Sequence, residues 1–324
     1  MIGYLDHNVL DLMTKGDPHN VKAFLKENDI TPVFSYESLN EILKSEGYEQ
    51  SFLDLLQEIE AKYLVPIKDG FSFTHEAELQ VVLVHKLYEH YLQNKDVIPE
   101  YGYGLSGMLQ KIYGGRQDES FSDIFSNGNE ELSKLFVEGI ESLRANPDVS
   151  QELIEQVLEI PEMVKTELMN ISTKMDEEAN TMVKSFESSF GVGPIVLNNI
   201  EAPDVLGKIW AVLEGKFDKF NVQGMELESF FGIAYQKHET NFGLEKPVVE
   251  KINSIYHQLN FIGYHRDSKM QKTNRFNASF SDMTHAGLAS FCDYFLCRDN
   301  DLIYKAAAAY EYVGAKTKIL HFKS

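Results

Sequence analysis

The first 70 residues of the chain alternate short apolar runs with segments whose apolar residues recur at helical spacing. Short apolar runs are typical of buried strands, whereas apolar positions three or four residues apart indicate helices that pack one face inward. The predicted strands are residues 2–5, 31–34 and 63–67, and the predicted helices are residues 19–27, 36–43 and 52–59. A chain that alternates in this way begins a doubly wound α/β fold.

The pattern changes after residue 73. A long amphipathic helix is predicted at residues 76–94, and almost every segment from there to residue 259 has helical spacing, including residues 205–214, 227–237 and 246–259. Apolar residues of the segment 150–186 form one continuous stripe along a helix, in which Pro161 should start a new helix or introduce a kink. This stripe either packs against other helices or forms a coiled-coil contact between two copies of the chain.

An α/β pattern returns at the C-terminal end. Residues 294–297 are apolar throughout and predict a buried strand, residues 302–312 predict a helix, and residues 317–322 predict a final strand. The sequence therefore predicts an α/β domain formed by residues 1–70 and 277–324, interrupted by an all-helical insertion of residues 71–276.

Length, composition and cysteine content are those of an ordinary globular protein. The chain has 324 residues, 43% of them hydrophobic and 25% charged. The N-terminus lacks the basic start and apolar core of a signal peptide, and no apolar run is long enough to cross a bilayer. The two cysteines, Cys292 and Cys297, are too few for a disulfide framework. We therefore expect a cytoplasmic protein with no membrane partner.

The chain is strongly acidic, with a formal net charge of -20. Residues 118–187 contain 17 acids and 5 basic residues, so their local balance is 5 − 17 = −12. This stretch is either a solvated helical face or a surface for a basic protein partner. Because phosphate contacts require Lys and Arg, the total charge argues against a general polyanion binder.

One basic segment stands out in this acidic chain. Four basic residues recur every three positions, at Arg266, Lys269, Lys272 and Arg275. The segment is either a soluble loop or a phosphate-positioning element that brings a nucleic-acid backbone to the acids that follow it.

Four acids occupy comparable places in the predicted fold. Asp6 ends the first strand, Glu41 lies on the helix after the second strand, Asp282 starts a helix, and Asp299 follows the strand 294–297. If the sheet is ordered 3-2-1-4-5, all four converge on its carboxyl edge, where open α/β sheets bind ligands. Gathered carboxylates are destabilising unless a cation neutralises them, and oxygen ligands favour Mg²⁺ or Mn²⁺. Such an ion would activate water for an in-line displacement at a phosphodiester.

Three neighbouring polar residues allow two interpretations each. Asp301 either makes a further metal contact or caps the helix from residue 302. Asn8 either hydrogen-bonds to a metal-binding carboxylate or forms a turn. His285, one turn after Asp282, either orients a carboxylate or a water molecule or has no catalytic role. Glu37 is predicted to face solvent.

Three segments resemble the PIN-like domain family of metal-dependent nucleases: residues 4–10, 35–41 and 282–302. Asp6 matches the family's acid that closes the first strand, and Glu41 matches the acid six residues after a Ser or Thr ending the second strand. Asp282 matches the acid that opens a helix of small residues. Asp299 and Asp301 match the acidic positions after the fourth strand. His7 and Cys297 depart from the family, which usually has Thr or Ser at the first position and Thr at the second.

The resemblance implies a three-layer α/β/α domain with a parallel five-stranded sheet in the order 3-2-1-4-5. It also implies a nuclease that uses Mg²⁺ or Mn²⁺ to hydrolyse phosphodiester bonds, with RNA favoured over DNA as the substrate and endoribonuclease activity expected. Two alternatives remain open: an inactive PIN-like scaffold that binds partners through its insertion, or the nuclease of a toxin–antitoxin or defence pair. The insertion could also mediate a homodimer.

Overall fold

The computed structural model describes residues 1–69, 72–94, 103–126, 150–178, 182–218, 223–234 and 245–323, together with residues 137, 140, 141 and 144. The chain divides into two compact units. The first comprises residues 1–94, 187–268 and 277–324, and the second comprises residues 95–186 and 269–276. The predicted insertion of residues 71–276 is therefore not one body, because residues 187–268 cluster with the α/β residues at both ends of the chain.

A single six-stranded sheet organises the first unit. Its strands are β1 (Ile2–Leu5), β2 (Thr31–Phe34), β3 (Lys62–Asp69), β4 (Ser72–Gln80), β5 (Tyr294–Cys297) and β6 (Lys318–His321). The order is β4-β3-β2-β1-β5-β6, and every neighbouring pair is parallel except β3 and β4, which are antiparallel. The protein is thus α/β with a mostly parallel sheet, and the prediction of five strands is corrected by the additional edge strand β4.

The predicted helix at residues 76–94 begins only at residue 84, and residues 76–80 form part of a strand instead. β4 occupies that part, and the register places Phe73, Ala77 and Leu79 opposite residues of β3. Apolar residues at odd positions suit a strand as well as a helix, so the local pattern was ambiguous. Pairing with β3 decides the outcome because it gives the backbone of this segment hydrogen-bond partners on one side.

The helices of the first unit fill the connections between strands and the segment before β5. They are α1 (His7–Thr14), α2 (Val21–Glu27), α3 (Tyr36–Lys44), α4 (Glu49–Glu58), α5 (Val84–Asn94), α9 (Pro194–Leu197), α10 (Val205–Phe217), α11 (Leu227–Phe230), α12 (Val248–Ile262) and α14 (Asn300–Val313). The predicted helix 227–237 is shorter than expected, and residues 235–237 lie outside the described residues. Two helices, α8 (Met182–Phe190) and α13 (Thr273–Ala289), contribute residues to both units.

The second unit is helical wherever it is described as regular structure. It contains α6 (Tyr103–Ile112), a helical stretch at residues 121–126, and α7 (Gln151–Glu178), which continues through Pro161. Leu168, Met175 and Met182 of the predicted apolar stripe pack against a buried cluster that includes Phe121. The stripe therefore contributes to packing within this unit. Among the described residues, no helix is long and apolar enough to span a membrane.

β1 lies in the middle of the sheet, and its side chains alternate between the two faces. Leu5 packs with Phe34 and Leu296 in a core closed by helices α1–α5. Tyr4 points to the opposite face and contacts Phe295 edge-on, with ring centroids 6.0 Å apart. This buried central strand holds the residue that follows it, Asp6, in a fixed position.

Gly3 is needed for the close approach of this central strand to its neighbours. A Cβ at this position would lie 2.7 Å from Ile30 Cγ2 and 3.0 Å from Leu296 Cδ1. We expect Gly3→Ala to lower the free energy of unfolding by about 1–3 kcal/mol through overpacking. Gly215→Ala on α10 is the matched control, because its Cβ meets nothing within 4 Å and Ala favours helix. Thermal denaturation would contradict this account if the two variants melted alike.

Candidate metal site

Three elements bring possible metal ligands together at the carboxyl edge of the sheet. Asp6 follows β1, Glu41 lies on α3, and His285 lies on α13. Each of these residues offers one ligand atom, and the three atoms lie within 4.8 Å of one another. Asp6 and His285 are buried, and the Glu41 side chain is 18% exposed. The grouping joins residues that are far apart in sequence.

α3 is anchored at its start, which fixes the position of Glu41. Ser35 accepts a hydrogen bond from the Glu37 backbone N–H and donates its own backbone N–H to the hydroxyl of Ser38, forming a capping box. Glu37 is buried rather than solvent-facing, because its carboxylate accepts hydrogen bonds from Ser281 and from Asn40. The Ser281 contact ties α3 to α13, the helix that carries His285.

A buried chain of hydrogen bonds connects this cap to Glu41. The Tyr4 hydroxyl lies 2.7 Å from Ser35 Oγ and 2.7 Å from His285 Nδ1, and His285 Nε2 lies 2.7 Å from Glu41 Oε2. Burial by itself would lower the pKa of His285, but Tyr4, Glu41 and Asp6 outweigh it and raise that pKa well above its ordinary value. His285 therefore holds the Glu41 carboxylate in place from the core side through this hydrogen bond.

Removing the hydroxyl of Tyr4 tests this chain of hydrogen bonds. We expect Tyr4→Phe to lower the free energy of unfolding by about 1–3 kcal/mol, because His285 Nδ1 and Ser35 Oγ both lose a buried partner. Tyr48→Phe is the control, since Tyr48 is 70% exposed. Equal denaturant midpoints for the two variants would show that the hydroxyl is not a structural link.

Asp6 carries an unsatisfied buried oxygen. Its side chain is 1% exposed, and its Oδ2 has no hydrogen-bond partner. Burial raises the pKa of Asp6 to about 6; the charge of His285 lowers it, Glu41 raises it, and a hydrogen bond from the Asn8 side chain lowers it. An unpaired buried carboxylate oxygen beside a second carboxylate is a position that a cation would stabilise.

Asp282 belongs to the same region, but it does not open a helix as predicted. α13 begins at Thr273, so Asp282 lies in the middle of the helix. Apolar residues at helical spacing continue upstream of Asp282 to Phe280 and Phe276. The prediction missed this part of the helix because the basic segment overlaps it. Burial, together with the charges of Asp6, Asp267, Glu41 and Asp299, raises the pKa of Asp282 well above its ordinary value. These five acids therefore form one electrostatic cluster.

The acids after β5 have separate local contacts. Asp299 is exposed and caps α14, with Oδ1 accepting the Leu302 N–H at 2.9 Å. Asp301 lies in the first turn of that helix and faces His265, with Oδ1 3.5 Å from Nδ1. The helix cap is therefore Asp299 and not Asp301. Of the predicted ligands, only Asp6 and Glu41 belong to the close group, and Asp282 interacts electrostatically with both of them and with Asp299.

Arg266 was predicted to contact phosphate, but in the structure its side chain contacts other parts of the protein. Its guanidinium pairs with Glu187 and donates to the backbone carbonyls of Asn260 and Phe261, so it is committed to the protein. The other predicted phosphate contacts are exposed and belong to the second unit; they are Lys269, Lys272 and Arg275.

The two positions that depart from the family pattern are both enclosed by the fold. His7 packs on the Phe52 ring at 4.7 Å, and its Nδ1 is buried without a hydrogen-bond partner, 4.0 Å from Glu41 Oε2. Burial lowers the pKa of His7. Cys297 is buried, and burial raises the pKa of its thiol, as do Asp6, Asp299 and Asp282.

Sequence reasoning missed one acid of the cluster, Asp267, its ion-pair partner Lys305, and Tyr256, over whose ring the Lys305 ammonium lies. Asp267 lies next to Arg266 in the basic segment, and Tyr256 lies in the predicted insertion, so neither was expected near the acids. Lys305 did carry a signal, because it lies on the apolar face of α14 with Leu302 and Ala309. A lysine among buried helix positions indicates a buried partner.

The fold and the cluster define a class: an α/β protein with a candidate divalent-cation site at the carboxyl edge of a mostly parallel sheet. Comparison of the chain with models of known protein families, with characterised proteins and with solved structures gave no match in any of the three searches. The functional assignment therefore depends on the chemistry of the site.

Proposed function

We propose that the protein is a Mg²⁺- or Mn²⁺-dependent nuclease that hydrolyses phosphodiester bonds, with endoribonuclease activity. The observation that carries the proposal is the unpartnered, buried Oδ2 of Asp6 beside Glu41 and within the field of Asp282. A folded protein tolerates such an arrangement when a cation completes it. The proposed donors are carboxylate oxygens, which suit hard divalent ions.

Each residue of the site has a distinct role in this proposal. Asp6 and Glu41 bind the ion directly, and Asp282 and Asp299 complete its surroundings. His285 positions Glu41 through the 2.7 Å hydrogen bond, and Asn8 positions Asp6. When bound, the ion would lower the pKa of a water molecule and stabilise charge on the phosphate during in-line displacement.

The proposal includes a PIN-like architecture. It is supported by the residues that resemble that family and by the succession of the parallel strands, β3-β2-β1-β5-β6. The antiparallel β4 at the edge is a feature that the resemblance does not predict. The acids lie where parallel strands end, which is the place where open α/β sheets bind ligands.

RNA is the proposed substrate, and exposed basic residues would contact its phosphates. Lys269, Lys272 and Arg275 are exposed in a chain of net charge -20, so they offer local attraction to a phosphate backbone. Contacts of this kind position a strand without reading its sequence. Binding should therefore weaken as salt concentration rises.

The test is cleavage of end-labelled and internally labelled single-stranded RNA in Mn²⁺, with DNA of the same sequence as the comparison. We expect internal cuts in RNA that stop when EDTA removes the ion. Products that form equally in EDTA would contradict a metal-dependent nuclease. An inactive scaffold predicts no cleavage together with weak or absent Mn²⁺ binding by calorimetry.

A further inference from the structure

Arg298 is an arginine at the carboxyl edge of the sheet that the protein leaves unpaired. It directly follows β5 and is half-buried, and its buried Nε has no hydrogen-bond partner. Among the described residues, none forms an ion pair or a hydrogen bond with its guanidinium. The neighbouring Asp299 does not neutralise it, because Asp299 Oδ1 accepts the Leu302 N–H instead. Buried donors are nearly always hydrogen-bonded in folded proteins, so this arginine requires an explanation.

Two other cationic side chains of the first unit are already committed to the protein. Lys305 Nζ is buried and donates to Asp267 Oδ1 at 2.7 Å. The Arg266 guanidinium pairs with Glu187. A fold with so large an excess of acids therefore pairs its half-buried and buried cations where it can, and Arg298 differs from them.

Strand pairing places Arg298 beside the first candidate metal ligand. β1 and β5 are parallel neighbours in which Leu5 lies opposite Leu296, and the Asp6 N–H donates to the Leu296 carbonyl at 3.0 Å. Neighbouring strands lie about 4.8 Å apart and rise about 3.3 Å per residue, so the Cα atoms of Asp6 and Arg298 lie about 6 Å apart. The position of Arg298 at the site thus follows from the backbone of the sheet.

The two side chains leave this edge on opposite faces of the sheet. Leu5 and Leu296 both pack into the core closed by helices α1–α5. Because side chains alternate along a strand, Arg298 is directed to the face of Leu296 and Asp6 to the other face. This alternation explains why Asp6 Oδ2 and Arg298 both lack a partner although their backbones are close. A ligand seated over the strand ends is open to both sides.

We infer that Arg298 binds a backbone phosphate of the RNA strand at this edge of the sheet. The inference rests on the proposed nuclease activity. A guanidinium that the protein leaves free presents a planar fork of N–H donors, which matches two oxygens of a phosphate. Arg298 belongs to the unit that carries Asp6 and Glu41, so the contact would hold the strand over the acids. It positions the strand without reading its sequence.

The salt dependence of RNA binding tests the contact without relying on cleavage. Labelled single-stranded RNA is titrated with the metal-free protein in EDTA, by fluorescence anisotropy at several salt concentrations. We expect Arg298→Met to weaken binding about 10-fold, as loss of a hydrogen bond to a charged group does. The slope of log Kd against log salt should also fall by about 0.7, the value for one phosphate contact on a single strand.

Lys318→Met is the matched control, because it removes the same charge at the other edge of the same sheet. Lys318 is exposed and begins β6, which runs parallel to β5. This variant should keep the wild-type slope and bind within about twofold of wild type. Equal slopes and affinities for the Arg298 and Lys318 variants would overturn the inference and leave the nuclease proposal standing. Wild-type protein that neither binds nor cleaves RNA would overturn the proposed function itself.

Arg298→Lys separates the charge of the side chain from its shape. It should keep the wild-type slope but bind more weakly than wild type, because an ammonium lacks the two-donor fork. A slope that falls as far as in Arg298→Met would overturn the inference.

Thermal melting of the metal-free protein excludes a structural role for the guanidinium. Arg298→Met should melt at or above the wild-type temperature, because it removes a buried donor that has no partner and keeps the apolar stem. A lower melting temperature would show that the guanidinium stabilises the fold, and it would overturn the assignment of Arg298 as a group kept free for a ligand.

Discussion

Asp6→Asn is expected to lower the Mn²⁺-dependent cleavage rate by at least about 100-fold. Substitutions of residues that merely support metal ligands commonly reduce activity by about 10–100-fold, so loss of a direct ligand should do more. Asn keeps the shape of the side chain and removes the negative charge that the ion requires. Rates should be measured under single-turnover conditions with saturating protein, so that the effect on the chemical step is separated from RNA binding.

Asp11→Asn is the matched control for this prediction. Asp11 lies on α1, the helix that Asp6 begins, and pairs with Lys15 on the surface. Its substitution should leave the rate within about twofold of wild type, since surface pairs contribute little. Cleavage by Asp6→Asn at the wild-type rate, with Mn²⁺ still required, would remove Asp6 from the reaction.

The second large effect concerns stability. We expect Asp282→Asn to raise the free energy of unfolding of the metal-free protein at pH 7 by about 1–3 kcal/mol. The pKa of Asp282 is higher in the folded chain than in the unfolded chain, so the folded state binds more protons as pH rises above about 4. Ionisation therefore favours unfolding, and Asn cannot ionise.

The same sign applies to Asp6, whose pKa is raised to about 6. Its contribution to stability should fall as pH rises from about 4 to about 6 and then stay constant. Melting of the metal-free wild type should therefore show lost stability over this range, and less of that loss should remain in Asp282→Asn, because the two carboxylates interact. Asp218→Asn, at an exposed position, is the control and should follow the wild-type profile.

Mn²⁺ should reverse the order of stability. Ions that bind only the folded state raise its stability by mass action, so wild type should gain in melting temperature as Mn²⁺ is added. Asp282→Asn should gain less, because one of the surrounding charges is gone. Stabilisation of both proteins to the same extent would exclude Asp282 from the site.

Local signals were sufficient for the parts of the site that lie next to strand ends. Asp6 directly follows a buried strand, and Ser35 is a recognisable helix cap that fixes the position of Glu41. These features depend on a few neighbouring residues, so a single sequence can reveal them. The parallel strands were also recognisable, since each contains a short run of apolar residues.

The predictions that were wrong or incomplete concern residues whose partners in the structure are far away in sequence. β4 is a strand because β3 pairs with it, although its residues also suit a helix. Arg266 was predicted to contact phosphate, but its guanidinium pairs with Glu187, 79 residues upstream. Asp267 forms a buried ion pair with Lys305, and no sequence spacing predicts that these two residues pair. Tertiary pairing of this kind overrides local patterns and cannot be predicted from them.

The most direct test of the metal site is a crystal structure of the protein in Mn²⁺, with the ion located by its anomalous scattering. The account predicts a single strong peak bonded to Asp6 Oδ2 and to the Glu41 carboxylate, at distances normal for oxygen ligands. It also predicts that the peak is absent from crystals of Asp6→Asn. A structure at saturating Mn²⁺ with no peak at Asp6, or with the ion bound elsewhere, would contradict the account.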